Sequence, residues 1–322
     1  MPMSEVHFRS GGSSNDAEAL LRIHTMCDDC EPVDPVSPHV FRPTLAWFRE
    51  RLSAIDPADL VIAEIDAQIA GYGQARWDWA ESDGTHVFFH AGWVAPLWRG
   101  RGIGTGMLAR LEAQCRGKAA SVESARNEYA TYTSEAQENA GRHLERNGYV
   151  RAFTAWEMEL ANDAPVAIEP LPAGYELRPI TPDDHRAIWQ SIGDAFDAAC
   201  PGGRYITVPT EAAFRDSFSA AQFDPALCFV AWHGSRIAGQ VICRIQPRCG
   251  EVAELSVGVG YQRRRLGSAL LTRGIAALRE RGVPTIRLGT NDANPSEAWR
   301  LYERVGFRRV GAYPRWRKGF SL

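Results

Sequence analysis

The sequence repeats itself, and this repetition constrains the fold more than any other feature. Three segments recur in the same order, offset by roughly 160 residues. Residues 60–77 match 228–245, residues 94–113 match 257–276, and residues 143–153 match 301–311. Because three matches keep their order, the chain predicts a duplicated domain. We place the first domain at 1–160, a linker rich in Pro and Ala at 161–174, and the second domain at 175–322.

Each copy shows the same order of hydrophobic patterns. A strand is followed by one or two helices, two or three strands, and then helices that alternate with strands. In the second copy, Thr181 is predicted to be the N-cap of a helix that has Pro182 at its first position. This order predicts an α/β (α+β) domain of about 150 residues with a mixed sheet.

Composition excludes several classes of function. The net charge of −3 does not favour a nucleic-acid partner. The seven cysteines are odd in number and irregularly spaced, and the pair Cys27 and Cys30 has no second pair at zinc-ligand spacing, so no metal site is expected. No apolar run is long enough for a membrane span, and the first residues lack a signal-peptide pattern, which predicts a cytoplasmic protein.

Alternating glycines from Gly100 to Gly106 mark the start of a predicted helix. Bare backbone at a helix start lets a phosphate approach the unpaired N–H groups. A P-loop is excluded because the chain has no Gly-Lys-Ser or Gly-Lys-Thr, and a dinucleotide-binding fingerprint fails because Met107 stands where its third glycine is needed. The remaining pattern is Arg-x-x-Gly-x-Gly, at Arg99, Gly102 and Gly104.

This loop, after the lead-in Val94-Ala95-Pro96, resembles the coenzyme A loop of the GNAT superfamily of acyl-CoA-dependent N-acyltransferases. The resemblance covers both copies. An Ile-x-Gly strand precedes each loop, at 69–71 and 237–239, and a Leu-Tyr-Glu-x-x-Gly-Phe helix end follows the second loop at 301–307. The resemblance implies two tandem GNAT domains, each with a mixed, mostly antiparallel central sheet flanked by helices.

The resemblance also implies acetyl-CoA as cofactor. In the family the strand before the loop splays from its neighbour at a bulge, the pantetheine arm pairs with the exposed strand edge, and the pyrophosphate lies on the loop. In the first copy the implied contacts are Val94, Arg99, Gly100, Arg101, Gly102, Ile103, Gly104 and Thr105. In the second copy they are Val257, Val259, Gln262, Arg263, Arg264, Arg265, Leu266, Gly267, Ser268 and Asn294. There Arg265 replaces the first motif glycine, so the second loop departs from the family pattern.

Acetyl transfer to an amine needs a base for the ammonium and an acid for the leaving thiolate. The resemblance implies Glu254 as base and Tyr302 as acid in the second copy. The first copy has Ala91 and Leu144 at these positions. His90 lies beside Ala91, and we interpret it as a hydrogen-bonded strand histidine rather than a base.

The sequence therefore predicts that the second copy transfers an acetyl group from acetyl-CoA to an amine, of a small molecule, by direct attack. The alternative is a non-catalytic protein that binds or senses acyl-CoA, because the first copy lacks the acid and the base and the second copy lacks the first motif glycine. A nicotinamide oxidoreductase is disfavoured by the missing third glycine. The acceptor is not readable, and its specificity is expected to come from residues 27–45 and 198–215.

Overall fold

The computed structural model describes residues 5–30, 42–200, 205, 207–219, 221 and 223–322. The chain divides into two compact units. The first unit comprises Met1–Phe153 together with Tyr313–Leu322, and the second comprises Thr154–Ala312.

The two halves of the chain contain the same elements in the same order: one strand, two helices, three strands, and then helix, strand, helix, strand. The first half contains β1 (His7–Ser10), α1 (Ala17–Asp29), α2 (Leu45–Ala54), β2 (Leu60–Ile65), β3 (Gln68–Ala80), β4 (Thr85–Val94), α3 (Ile103–Ala119), β5 (Arg126–Tyr132), α4 (Glu138–Arg146) and β6 (Val150–Ala161). The second half contains β7 (Glu176–Leu177), α5 (His185–Ala199), α6 (Glu211–Ser217), β8 (Cys228–His233), β9 (Arg236–Ile245), β10 (Gly250–Val257), α7 (Leu266–Glu280), β11 (Thr285–Asn291), α8 (Trp299–Val305) and β12 (Arg308–Phe320). This identity of order confirms the duplication.

Each unit contains a mixed sheet that is antiparallel except for one strand pair. The first sheet has the order β1-β2-β3-β4-β5-β12, in which only β4 and β5 run parallel among the described strands. The second sheet has the order β7-β8-β9-β10-β11-β6, and its parallel pair is β10 and β11. The fold class predicted from the sequence is therefore confirmed.

The last strand of each half completes the other unit. Residues 315–320 of β12 pair with 127–132 of β5, and residues 155–161 of β6 pair with 285–291 of β11. The boundaries drawn from the sequence put residues 313–322 in the second domain, whereas the structure groups them with the first unit. Both strands follow equivalent helices and carry similar patterns, so the sequence alone does not distinguish the two pairings.

Helices cover both faces of the first sheet. Side chains that alternate along β2 point to opposite faces. Leu60 and Ile62 pack with α1 and α2, whereas Val61 and Ala63 pack with Ile103 and other residues of α3. In the second unit, α7 packs on one sheet face and Ile188 of α5 packs with alternate residues of β8 and β9.

The first helical segment of the second half begins where the sequence predicts. Thr181 is the N-cap residue of the short 3-10 turn Pro182–Asp184, its backbone N–H donates to the Asp184 carboxylate (2.8 Å), and α5 continues from that turn. Across the described ranges, no helix combines the length and the apolar character that a bilayer span requires.

Candidate functional site

The parallel strand pair opens into a V-shaped gap in each unit. In the first unit, β4 pairs with β5 only from Thr85 to Phe89 and then follows β3 to Val94, while β5 follows β12 to Tyr132. In the second unit, the pairing of β10 with β11 covers residues 250–252, after which β10 follows β9 and β11 follows β6. The divergence leaves one edge of β4 and of β10 facing each gap.

A β-bulge accompanies each gap, but not on the same strand. In the second unit, Ala253 is the extra residue of β10, directly before Glu254. In the first unit, the extra residue is Arg76 on the neighbouring strand β3. A bulge redirects the side chains beside it. The bulge that the family resemblance implies on the strand before the loop is therefore present in the second unit, whereas in the first unit it lies on β3.

The two loops after these strands have the same construction. Each strand leads through a 3-10 turn, Pro96–Trp98 or Val259–Tyr261, to a helix that begins seven residues after the first residue of the turn. Arg99 Nε donates to the carbonyl of Val94 (3.1 Å), and Gln262 Nε2 donates to the carbonyl of Val257 (3.0 Å). The first motif residue thus closes the turn onto the end of its own strand.

Both loops need left-handed backbone at two positions. Gly100 and Gly102 have φ of 77° and 80°, and their equivalents Arg263 and Arg265 have φ of 59° and 63°. Glycine adopts this conformation without steric cost, whereas an L-residue is strained there. The arginines of the second loop therefore keep the backbone path of the motif at a cost in stability.

Glycine is present for different reasons at the next two glycine positions of the first loop. A Cβ on Gly106 would lie 2.5 Å from the Phe8 ring, so this glycine lets α3 pack closely against β1. A Cβ on Gly104 would lie 3.5 Å from His143 Nε2, at the wall of a cleft. Only the glycines at 100, 102 and 104 therefore belong to the loop surface, while Gly106 belongs to the core.

The first loop forms one wall of a cleft of about 810 Å³ in the first unit. Of the eight residues predicted to contact coenzyme A in this copy, seven line it: Val94, Arg99, Gly100, Gly102, Ile103, Gly104 and Thr105. The eighth, Arg101, stacks over the Trp98 ring at 4.9 Å. The side chain of Ile103 is buried, so this residue offers its backbone to the cleft.

The cleft fits an anionic ligand on the loop. The first N–H groups of α3 point out of the helix start, where they have no intrahelical acceptor. His143 Nε2 is buried at the same place and makes no hydrogen bond within the described residues. A pyrophosphate on the loop would accept hydrogen bonds from these groups, so the residues present are compatible with coenzyme A.

Few of the side chains predicted to contact the cofactor in the second copy are free to do so. Leu266 is buried in the core, and Asn294 Oδ1 accepts hydrogen bonds from the backbone and hydroxyl of Ser296. Arg264 donates to the Tyr175 hydroxyl (3.4 Å), and Val259 is 58% exposed. The predicted contacts of this copy are thus backbone groups and arginine side chains, while Asn294 holds its own turn.

Glu254 and Tyr302 lie near each other in the second unit. Glu254 follows the bulge of β10, and its Oε1 is buried with no hydrogen-bond partner in the described part of the chain. Burial raises the pKa of Glu254 to about 7, against opposing effects of Arg244 and of a hydrogen bond from the Leu255 backbone. The carboxyl group therefore exchanges a proton near neutral pH.

Tyr302 is buried in α8, with its ring 6.2 Å from that of Phe307. Burial raises the pKa of Tyr302 further above its ordinary value, and the negative charge of Glu254 adds to this shift. The hydroxyl therefore stays protonated at neutral pH. The sequence positions of the two residues are far apart, and the fold brings them within electrostatic range.

The first unit has no such pair at the equivalent positions. Ala91 and Leu144 are both buried in apolar clusters. His90 is buried, and its Nε2 shares a hydrogen bond with the Tyr149 hydroxyl (2.7 Å). Burial, aided by the positive charge of Lys318, lowers the pKa of His90 to about 4. These contacts support the interpretation of His90 as a neutral, hydrogen-bonded strand histidine.

Sequence reasoning missed His143. It aligns with Leu301 of the second copy, and each contacts the second motif glycine of its own loop, Gly104 or Gly267. The available signal was a polar residue at a position that is apolar in the other copy. The loops expected to select the acceptor lie partly outside the described residues, at 31–41, 201–204 and 206.

Both halves of the chain are similar to known proteins. The model of the acetyltransferase (GNAT) family matches residues 20–134 and again residues 189–307. Mycothiol acetyltransferase of Geodermatophilus obscurus is 28% identical over 313 residues, which is 93% of this chain and 92% of that protein. The protein of the same name from Streptomyces avermitilis is 30% identical over 251 residues, which is 74% of this chain and 73% of that one.

Solved structures show the same fold. A GCN5-related N-acetyltransferase from Sphaerobacter thermophilus has a TM-score of 0.75 at 21% identity, over 98% of this chain and 95% of that chain. A tandem GNAT protein from the clavulanic acid biosynthesis pathway has a TM-score of 0.62 at 16% identity, over 99% of both chains. The two family matches, one in each copy, lead to one conclusion: the chain belongs to the acetyltransferase (GNAT) family and carries the family's domain twice in tandem.

Proposed function

We propose that the second unit transfers an acetyl group from acetyl-CoA to the amine of a small molecule by direct attack. The observation that carries this proposal is the pair of Glu254 and Tyr302 beside the gap between β10 and β11. One group takes up a proton near neutral pH and the other keeps its proton. Opposite proton-transfer roles in one gap are what amide formation from an ammonium requires.

The cofactor would lie along the exposed edge of β10, with its pyrophosphate on residues 262–268. When bound, acetyl-CoA supplies the thioester that the amine attacks. Arg263, Arg264 and Arg265 add positive charge where the loop lacks the glycine of the first copy. The arginine charges and the backbone N–H groups of residues 262–268 would together hold the phosphates, and the edge of β10 would bind the acyl arm.

Glu254 acts as the general base in this proposal. Its carboxylate accepts a proton from the ammonium of the acceptor and leaves the neutral amine, which is the nucleophile. A base works best when its pKa lies close to the working pH, and burial raises that of Glu254 to about 7. The bulge at Ala253 positions this carboxylate on the strand that borders the gap.

Tyr302 acts as the general acid. It holds a proton on Oη for the thiolate that leaves when the amide forms. The high pKa of Tyr302 keeps this proton in place until that charge develops, because burial and Glu254 both disfavour the phenolate. The hydroxyl makes no hydrogen bond within the described residues that would have to break first.

The first unit holds coenzyme A without chemistry in this proposal. Its loop has the complete motif and its cleft contains His143, but Ala91 and Leu144 supply no acid or base. In this proposal the first unit binds acyl-CoA and the second unit transfers the acetyl group, so the chain combines the two functions that the sequence analysis considers. The purely acyl-CoA-sensing alternative leaves the buried carboxylate of Glu254, with its raised pKa, without a use.

The relatives suggest the acceptor to test first. They are named mycothiol acetyltransferase, and three of them align with more than nine tenths of this chain. We therefore propose the desacetyl form of mycothiol, or an amine that resembles it, as acceptor. Release of coenzyme A thiol is measured with this amine, with a panel of other primary amines and with no amine. Amine-dependent release supports the proposal, whereas cofactor binding without release by any amine supports the sensing alternative.

A further inference from the structure

Strand β10 carries a second polar side chain beside Glu254. Ser256 lies two residues after Glu254, and β10 pairs regularly with β9 between them, with Ile242 and Gln240 opposite. Side chains two residues apart on a strand point to the same face, and their Cα atoms are about 7 Å apart. Both residues follow the point where β10 separates from β11. Ser256 therefore borders the same gap as the proposed base.

Ser256 is the last member of a chain of hydrogen-bonded polar side chains. Gln240 lies opposite Ser256 on β9, and its Nε2 donates to Ser256 Oγ. Gln240 Oε1 accepts a hydrogen bond from the hydroxyl of Ser191 in α5 (3.3 Å). Gln240 is fully buried, and Ser256 is 7% exposed. These hydrogen bonds hold the Ser256 oxygen in place on its strand.

The first unit has aromatic rings at the equivalent positions. Tyr72 and Trp93 align with Gln240 and Ser256, and they too lie opposite each other on neighbouring strands. Their rings stack with centroids 4.9 Å apart, and the Tyr72 hydroxyl shares a hydrogen bond with His24 of α1 (2.8 Å). Buried polar side chains are costly unless each group has a partner. Since stacked rings satisfy the fold at these positions, the polar chain of the second unit indicates a role in binding.

One donor of this chain has no acceptor. A serine hydroxyl has one hydrogen to donate and two lone pairs that accept. Ser256 Oγ uses a lone pair on Gln240, and within the described residues no group accepts its hydrogen. A buried donor in this state costs free energy, and an oxygen atom of a ligand in the gap would remove that cost.

We propose that Ser256 is a specificity-determining residue, which donates a hydrogen bond to an oxygen atom of the acceptor. The inference rests on the proposed function, because it takes the amine to lie at Glu254. Hydrogen bonds of about 2.8 Å to Glu254 and to Ser256 leave only a short distance between the amine and the oxygen. That distance fits substituents on neighbouring carbon atoms. The acceptor class is therefore a primary amine with a hydroxyl, ether or carbonyl oxygen on the carbon next to the one that carries the amine.

Two amines of the same shape test this preference. 2-Methoxyethylamine has an ether oxygen where butylamine has a methylene group. For the full chain, we measure KM and kcat with acetyl-CoA, and Kd by titration calorimetry with coenzyme A present. We expect KM and Kd to be at least tenfold lower for 2-methoxyethylamine, because butylamine leaves the buried donor without an acceptor. Equal values for the two amines, or no binding of either, would overturn the proposal.

Variants assign the preference to Ser256. Ser256→Ala should raise KM for 2-methoxyethylamine about tenfold, while KM for butylamine and kcat for both amines change less than about threefold. Ser256→Thr keeps a hydroxyl and should retain part of the preference. Ser124→Ala is the matched control, because it removes a hydroxyl that contacts the amide side chain of Asn127 in the first unit (2.8 Å). An unchanged preference in Ser256→Ala, or an equal loss in the Ser124 control, would contradict the assignment.

The same measurements separate this inference from the proposed function. Amine-dependent release of coenzyme A thiol with no preference for the ether amine would refute only the role of Ser256. Preferential binding of the ether amine that depends on Ser256, without thiol release, would refute acetyl transfer and retain the binding site.

Discussion

Replacement of Trp316 by alanine should destabilise the first unit, although Trp316 lies in the second half of the sequence. Trp316 belongs to β12, which pairs with β5 of the first unit. Its ring is buried against Gly141 of α4, and its Nε1 donates to Thr133 Oγ1 (3.0 Å). The substitution therefore removes core packing and one buried hydrogen bond from the first unit.

The expected loss follows from that burial. Truncation of a buried tryptophan to alanine costs about 3–5 kcal/mol. Where exchange of backbone amides requires opening of the unit, a loss of about 3 kcal/mol speeds exchange by roughly a hundredfold. We expect this increase in peptides that cover β5 and α4, measured by hydrogen exchange and mass spectrometry.

The reciprocal variant is Leu160→Ala. Leu160 is fully buried on β6, near the end of the first half, and packs in the core of the second unit with Phe307 and Tyr302. The change should cost about 2–5 kcal/mol and should raise exchange in β10, β11 and α8. If Trp316→Ala instead exposes β8–β11 while β5 and α4 stay protected, the exchange of strands between the halves is wrong.

Four further results are expected. Gly104→Asp places a carboxylate on the loop of the first unit and should weaken coenzyme A binding there, and His143→Leu, which copies the second unit, should weaken it less; unchanged stoichiometry and affinity by calorimetry in both would refute that site. The Arg265→Gly protein should be more stable than the Arg265→Ala protein by about 1 kcal/mol in urea unfolding, because φ is 63° at this position. Inside a helix the order is the reverse, since alanine is there more favourable than glycine. The raised pKa of Glu254 means that the folded state binds this proton more tightly, so stability is lost as the pH rises from about 4.5 to about 7, and Glu254→Gln should remove that loss. The rate of the chemical step should rise as the pH increases toward 7, because Glu254 loses its proton over this range, and a flat pH–rate profile would exclude Glu254 as the base.

The sequence predicts the duplicated fold well because each copy repeats local signals. The Ile-x-Gly strand is one example: a Cβ on Gly71 or Gly239 would lie within 2.8 Å of a carbonyl of the adjacent strand, so the close strand contact needs glycine in both copies. The helix starts at Ile103 and Leu266 follow from the loop motif in the same way.

Other features depend on contacts that local sequence does not encode. β6 and β12 present similar patterns to equivalent strands, so no local signal selects the exchanged pairing. Arg76 of β3 and Arg315 of β12 are far apart in the sequence, and the pairing of β12 with β5 brings both to the lining of one cavity of the first unit, of about 480 Å³. His143 is an ordinary helical residue until the fold places it against Gly104.

Single-turnover acetylation by Tyr302→Phe tests the proposed mechanism most directly. The variant keeps the buried ring and removes only the hydroxyl. General acid catalysis contributes about 10²- to 10⁴-fold, so the acetylation rate should fall within that range while coenzyme A affinity stays near that of the unchanged protein. Tyr149→Phe is the matched control, because it removes a buried tyrosine hydroxyl from the first unit, where Tyr149 contacts His90. A full rate in Tyr302→Phe across the pH range, or an equal fall in Tyr149→Phe, would contradict catalysis by the second unit through Tyr302.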